Sequence, residues 1–183
     1  MRSLNALINK MLLAFTGNGK GKTTAALGNA LRLLGSGKRA LMVQFIKGPW
    51  ESGEHKSVPR LDPDFKIIKT GKGFVGILGD DLPIEEHKQA AEEGFAIARK
   101  EIAGGKYHLL ILDEVHNAIR LGLVPVSYVL AFLDYAKDKV EYVITTGRDA
   151  AKEIIQRADL VTEMRDLKHP YQKGVKAKVG LDF

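Results

Sequence analysis

Runs of consecutive apolar residues alternate along this chain with segments in which apolar residues return every three or four positions. The first pattern marks strands buried on both faces, and the second marks amphipathic helices. Met11–Thr16 reads as a buried strand. Thr23–Leu34 reads as a helix with Leu27, Ala30, Leu31 and Leu34 on one stripe, stopped by Gly35 and Gly37. Arg39–Ile46 is a second apolar strand, and Gly48–Asp64, with its Pro, Gly, Ser and charged residues, reads as a loop. A short strand at Phe65–Thr70 leads into the glycine-rich stretch Gly71–Pro83. Ile84–Ile102 is a long helix with Ile84, Ala91, Phe95, Ala98 and Ile102 on its apolar stripe. Glu85 and Glu86 suit its positive amino end. His108–Asp113 is a nearly continuous apolar strand. A helix starting at Pro125 carries Val126, Val129, Leu130 and Leu133. Tyr142–Thr146 is a strand, Ala150–Ala158 a helix and Leu160–Met164 a last strand. Apolar strands separated by helices imply a mostly parallel sheet covered on both faces, and right-handed crossovers then give a three-layer α/β/α domain.

The chain length of 183 residues is that of one domain, with residues 1–10 as a short leader and 168–183 as a tail. The leader's Asn5, Asn9 and Lys10 interrupt its apolar residues, so it reads as a short helix rather than a signal peptide. No apolar run approaches the length of a membrane span. With 28 Lys and Arg against 22 Asp and Glu, the net charge is +6, which favours an anionic partner such as a nucleotide, a nucleic acid or a lipid surface. The absence of cysteine excludes disulfides, thiolate metal sites and a cysteine nucleophile, and is compatible with a reducing cytoplasm.

The segment Thr16-Gly-Asn-Gly-Lys-Gly-Lys-Thr-Thr24 lies between a predicted strand and a predicted helix. That is the context of a phosphate loop, in which glycines let backbone N–H groups point at phosphate oxygens and the helix terminus adds partial positive charge. Gly17, Asn18, Gly19, Lys20, Gly21, Lys22, Thr23 and Thr24 are therefore candidate nucleotide contacts, with Lys22 on the phosphates and Thr23 offering its hydroxyl to a magnesium ion. The usual pattern places a glycine five residues before Gly21, where this chain has Thr16. A second signal is Leu109-Leu-Ile-Leu-Asp-Glu114, four apolar residues ending in two carboxylates at the carboxyl edge of a strand. Ligands bind at that edge in open parallel sheets, so Asp113 or Glu114 is a candidate metal partner. Together the motifs place the fold in the P-loop NTPase (RecA-like) class. His55, His87, His108, His116 and His169 are scattered without ligand spacing and read as surface or satisfied structural histidines. Arg148 and Lys47 each follow a strand and reach the same edge. For Arg148 a phosphate contact and a carboxylate partner in the fold are both open.

The order Thr16–Thr24, Val43–Gly48 with Trp50, Thr70-Gly71, Gly73-Phe74, Leu112–Glu114, Ile144–Arg148, Ala158–Glu163 and Lys168–Phe183 resembles the P-loop family of ATP:corrinoid adenosyltransferases, across nearly the whole chain. The phosphate loop with VQFIKG, together with the KHP…GV.A..G.D ending, carries the resemblance. It implies attack of corrinoid Co(I) on the 5′ carbon of ATP with release of tripolyphosphate, in cobalamin biosynthesis or salvage. It also implies ATP held in reversed orientation, which is consistent with Thr16. Lys22, Thr23 and Glu114 are then the catalytic group, with magnesium (or manganese) on Thr23, Glu114 and Asp113. Phe74 matches the segment that covers the corrin, and Gly76 stands where the family has tryptophan. Trp50 either stacks on a ligand or covers the core, and the basic tail is either solvated or borders the site. A reduced flavoprotein as electron donor, a homodimer, a cytoplasmic location and no nucleic-acid partner belong to the same implication. Two other readings stand beside it: a P-loop ATPase that binds nucleic acid, and a non-catalytic corrinoid- or nucleotide-binding protein.

Overall fold

The computed structural model describes residues 10–48, 51–73, 75, 76 and 81–182. Its centre is one six-stranded sheet built from β1 (Met11–Thr16), β2 (Ala40–Gln44), β3 (Phe65–Lys69), β4 (Leu109–Asp113), β5 (Tyr142–Thr146) and β6 (Leu160–Glu163). The strand order is β3-β2-β4-β5-β1-β6, and every pairing is parallel. Among the described residues the strands are connected by α1 (Lys22–Leu34), α2 (Gly53–Ser57), α3 (Ile84–Ala103), α4 (Val115–Arg120), α5 (Val126–Lys139) and α6 (Lys152–Arg157). No helix among the described residues is long and apolar enough to cross a membrane.

Strand alternation sends successive side chains to opposite faces of the sheet. Leu12, Ala14, Leu41, Val43, Leu110, Leu112 and Val143 pack in one cluster with residues of α3, α4, α5 and α6. Phe95 is its centre, with ring centroids 4.6 Å from Phe45, 4.9 Å from Phe132 and 5.2 Å from Tyr128. The alternate residues Phe15, Ala40, Met42, Leu109, Ile111 and Ile144 pack in a second cluster with Ala26 and Ala30 of α1. The three layers expected from the apolar pattern are therefore present, with α1 on one face and α3, α4, α5 and α6 on the other.

The structure departs from the sequence expectations in places where period carries little information. The segment 48–64 is not loop throughout: it holds α2 and a 3-10 turn over Val58–Leu61. A five-residue helix has no room for an apolar repeat, and this one is marked instead by local capping, in which His55 Nδ1 accepts the Ser52 N–H at 2.9 Å. The six-residue α4 escaped for the same reason. In α1 the buried line is Lys22, Ala26 and Ala30, whereas Leu31 is 61% exposed. Lys22 is tied inward beneath the preceding loop, and that tie sets the rotation of the whole helix. The strand β2 ends at Gln44 rather than Ile46, α6 begins at Lys152 rather than Ala150, and β6 ends at Glu163. The sheet is not covered on both faces at β6, an edge strand paired only with β1, where Leu160 and Val161 are each 40% exposed.

Because Phe95 is fully buried among three aromatic neighbours, Phe95→Ala should destabilise the fold by about 3–5 kcal/mol. Urea denaturation of the variant against the parent chain measures this directly.

Candidate active site

The carboxyl edge of the sheet gathers the polar residues that the apolar strands end on. Between β1 and α1 the chain turns through Gly17 (φ 96) and Gly21 (φ 119), a conformation that favours glycine. A Cβ on Gly17 would lie 2.4 Å from the Met164 carbonyl oxygen, and one on Gly19 would lie 2.7 Å from the same atom. The loop is that close because the Gly19 N–H donates to the Met164 carbonyl at 2.7 Å. Lys22, the first residue of α1, curls back and donates from Nζ to the carbonyls of Gly17 and Gly19, both at 2.8 Å. Burial lowers the Lys22 pKa; Glu114 opposes that shift, Arg148 adds to it and Asp113 opposes it. Thr16, the departure from the usual loop pattern, is the last residue of β1, and its hydroxyl accepts the Ala150 N–H at 3.1 Å. The side chain that replaces glycine thus ties the loop to the segment after β5.

Three strands deliver one polar residue each to the face that α1 covers. The β2–β4 register sets Gln44 beside Asp113, and Leu112 beside Thr145 places Thr146 on the other flank. Asp113 is fully buried and accepts from all sides: Thr23 Oγ1 at 2.9 Å, Thr146 Oγ1 at 2.7 Å and Gln44 Nε2 at 3.0 Å. Burial pushes its pKa up, against these three hydrogen bonds, which favour the charged form. Thr146 Oγ1 also accepts the N–H of Glu114 at 2.9 Å. Glu114 has φ 62, unusual for a residue other than glycine, and it opens α4. Its Oε2 is buried without a hydrogen-bond partner. Burial, reinforced by Asp113, raises its pKa to about 7, while Lys22, Lys47 and Arg148 pull the other way.

Above this buried centre lies a cleft of about 1140 Å³, a little more than the ~300–1,000 Å³ common for a single small ligand. Asn18, Gly19, Lys20, Gly21, Lys22, Thr23, Thr24, Glu114 and Arg148 all line it, whereas Gly17 and the fully buried Asp113 lie behind the wall, held to Lys22 and Thr23 respectively. Lys47 lines it too, and its Nζ donates to Ser52 Oγ at 3.0 Å. Arg148 is held at its backbone, where its N–H donates to Asn117 Oδ1 at 2.7 Å. The tail borders the site rather than lying free of it. Asp182 Oδ1 sits 2.8 Å from Lys20 Nζ, and His169, Gln172, Gly180 and Leu181 form part of the wall, next to Asp166 just before the tail. Trp50 and Phe74, the candidate corrinoid contacts, lie outside the described residues, as does the leader over residues 1–9.

Gln44, Thr146, Ser52 and His55 were not picked from sequence as site residues. Gln44 and Thr146 did carry a signal: each is a polar residue closing an apolar strand, as Asp113 does. His116 is neither a surface nor a satisfied histidine. It is buried, its Nε2 has no hydrogen-bond partner, and burial lowers its pKa to about 4.

No group of three or more His, Cys, Asp or Glu among the described residues could hold a metal ion unaided. The donor set nevertheless suits a hard cation shared with a ligand. Glu114 offers a buried oxygen without a partner, and Thr23 donates its proton to Asp113, which leaves the hydroxyl lone pairs open. Magnesium bound through one or two carboxylates plus substrate phosphates needs no more from the protein.

Residues 9–183 match the family model described as ATP:corrinoid adenosyltransferase BtuR/CobO/CobP. The chain is 35% identical over 173 residues to a corrinoid adenosyltransferase of Escherichia coli K12, covering 94% of this chain and 85% of that one. It is 34% identical over 178 residues to the corrinoid adenosyltransferase CobA of Salmonella typhimurium, with the same coverage. A corrinoid adenosyltransferase of Pseudomonas aeruginosa is 35% identical over 173 residues, covering 94% of this chain and 83% of its own.

Between the unfolded pKa of 4.5 and about 7, folded Glu114 keeps a proton that the unfolded chain has lost. This group therefore makes stability fall as pH rises through that window, by up to about 3 kcal/mol. Glu114→Gln should remove that slope and be the more stable chain at pH 8, without nucleotide or divalent cation. Urea titrations of both chains from pH 4 to 8 measure the difference.

Proposed function

The chain belongs to the ATP:corrinoid adenosyltransferase family, and from that membership we propose that it transfers the 5′-deoxyadenosyl group of ATP to the Co(I) of a corrinoid. The observation that carries the reading is the convergence of the phosphate loop, Lys22, Thr23 and Glu114 on one cleft, with Asp113 fully buried behind Thr23 and hydrogen-bonded to it. In the reaction the electron pair of Co(I) forms the cobalt–carbon bond at C5′. The C5′–oxygen bond breaks, and its pair leaves with tripolyphosphate. The attacking electrons come from the corrinoid, so the protein's task is to align the two centres and to stabilise charge growing on the leaving phosphates.

The residues divide that task. The loop amides and the amino end of α1 face the phosphates. Lys22 would exchange its two loop carbonyls for phosphate oxygens, which accept more strongly because they are charged. Arg148 and Lys47 add positive charge at neighbouring strand ends. Thr23, Glu114 and, through hydrogen bonds, Asp113 would hold magnesium or manganese, which neutralises charge on the tripolyphosphate. A cation beside Glu114 would also favour its ionised form, where burial alone raises the pKa. Trp50 and Phe74 belong to this proposal as corrinoid contacts. A reduced flavoprotein donor, a homodimeric assembly and a cytoplasmic setting enter with the family.

The test is an anaerobic reaction with ATP, magnesium and chemically reduced cobalamin, followed by corrin absorbance with identification of the phosphate product. Light-sensitive adenosylcobalamin with tripolyphosphate is expected. Orthophosphate without a corrin change would make the protein an ATPase, and corrinoid binding without turnover would make it a carrier. Lys22→Ala should reduce turnover at least ~100-fold while the chain stays folded, the size of effect seen when one transition-state charge donor is lost. Near-normal turnover in that variant would remove Lys22 from the proposal.

A further inference from the structure

A line of hydrogen bonds runs from α2 into the centre of the site. His55 Nδ1 accepts the Ser52 N–H at 2.9 Å. In a neutral imidazole whose Nδ1 accepts, the ring proton is on Nε2. His55 Nε2 lies 2.7 Å from Gln44 Oε1, so it donates there. That bond orients the Gln44 amide, whose Nε2 then donates to Asp113 Oδ2 at 3.0 Å. The other oxygen of Asp113 receives the hydroxyls of Thr23 and Thr146. Gln44 and Asp113 are fully buried, so a reversed amide would set oxygen against a carboxylate and leave a nitrogen facing the imidazole N–H. Each bond in the line has one workable direction, and the Ser52 N–H fixes it. Burial, the largest influence on His55, lowers its pKa and keeps the neutral ring that this direction requires.

We propose that His55 is a positioning residue: through Gln44 it holds Asp113, and with it the Thr23 hydroxyl, in the orientation that receives ATP together with its divalent cation. The inference rests on the reading that ATP binds in this cleft. His55 lies in the short helix α2, and Gly53 and Glu54 of that helix line the cleft wall. Seating α2 on the sheet and aligning the carboxylate are thus one event. Partners that orient a metal site from behind its ligands typically change metal affinity or activity by about 10–100-fold when removed.

Two substitutions separate the two ring nitrogens. In His55→Asn the side-chain oxygen can reach the Ser52 N–H, but nothing reaches Gln44. In His55→Gln the amide nitrogen can reach Gln44, but the Ser52 contact is lost. The measurement is the ATP dissociation constant by calorimetry, with saturating magnesium and again with EDTA, alongside thermal unfolding. His55→Asn is expected to weaken ATP binding about tenfold with magnesium and less than twofold in EDTA, and His55→Gln to stay near the parent in both. Gln44→Met, which breaks the line at its middle with little change of volume, should repeat the magnesium-specific loss if His55→Asn fails to fold. Parent-like binding by His55→Asn or Gln44→Met overturns the inference. So does a loss equal with and without magnesium, or a loss that follows His55→Gln, since either marks a local folding role. A parent chain that binds no ATP would overturn the nucleotide reading itself, and the inference with it.

Discussion

A carboxylate removed from water costs several kcal/mol unless donors surround it, and Asp113 is fully removed. Three neutral donors meet it: hydroxyls from α1 and β5 and an amide from β2. Each comes from a different element, so the bonds form only when the strand order, the register and the rotation of α1 are all correct. A register slip of one residue would turn Gln44 or Thr146 to the opposite face and leave the charge short of a partner. The position of α1 answers to the same centre, because Thr23 binds Asp113 while the adjacent Lys22 binds the loop carbonyls. The loop, the sheet edge and the first helix are therefore held by one buried carboxyl group.

Around this satisfied centre the site keeps groups that the fold does not satisfy. Glu114 has a buried oxygen without a partner and a backbone conformation that costs about 1 kcal/mol or more. Lys22 spends its charge on two neutral carbonyls. Both groups would gain from the proposed anionic ligand and its cation, and the well-packed sheet beneath them sustains the cost. The division matches what a transfer reaction with an external nucleophile asks of a protein: rigid placement at the edge and unfulfilled electrostatics facing the cleft.

The tail extends the site beyond the sheet. Met164, just past β6, accepts from Gly19, so the edge strand that covers no core supports the phosphate loop from behind. Asp182 then returns to Lys20 from the far end of the described chain. The lysines of the tail, taken from sequence, allowed either a solvated segment or a wall of the site. The ionic contact of Asp182 with Lys20, and the place of His169, Gln172 and Leu181 in the cleft wall, select the wall for the tail, though not for its lysines.

Strand runs and long helices were readable from sequence because apolar period survives any tertiary arrangement. The loop over Thr16–Thr24 and the pair Asp113-Glu114 stood out because glycines between a strand and a helix, and carboxylates closing an apolar run, are local patterns that a linear sequence displays. The resemblance across nearly the whole chain was readable for the same reason. The short helices α2 and α4 were not, since five or six residues hold too little period. The exposure of Leu31 was not, since the anchoring of Lys22, not apolar content, sets the phase of α1. His55 joined the site only through tertiary structure, and the polar strand ends Gln44 and Thr146 acquired a partner only there. Their roles depend on which strands are neighbours and on the face each residue takes, and a linear sequence does not state that pairing. The sequence alone determined which groups could do the chemistry; the parallel register decided which of them meet.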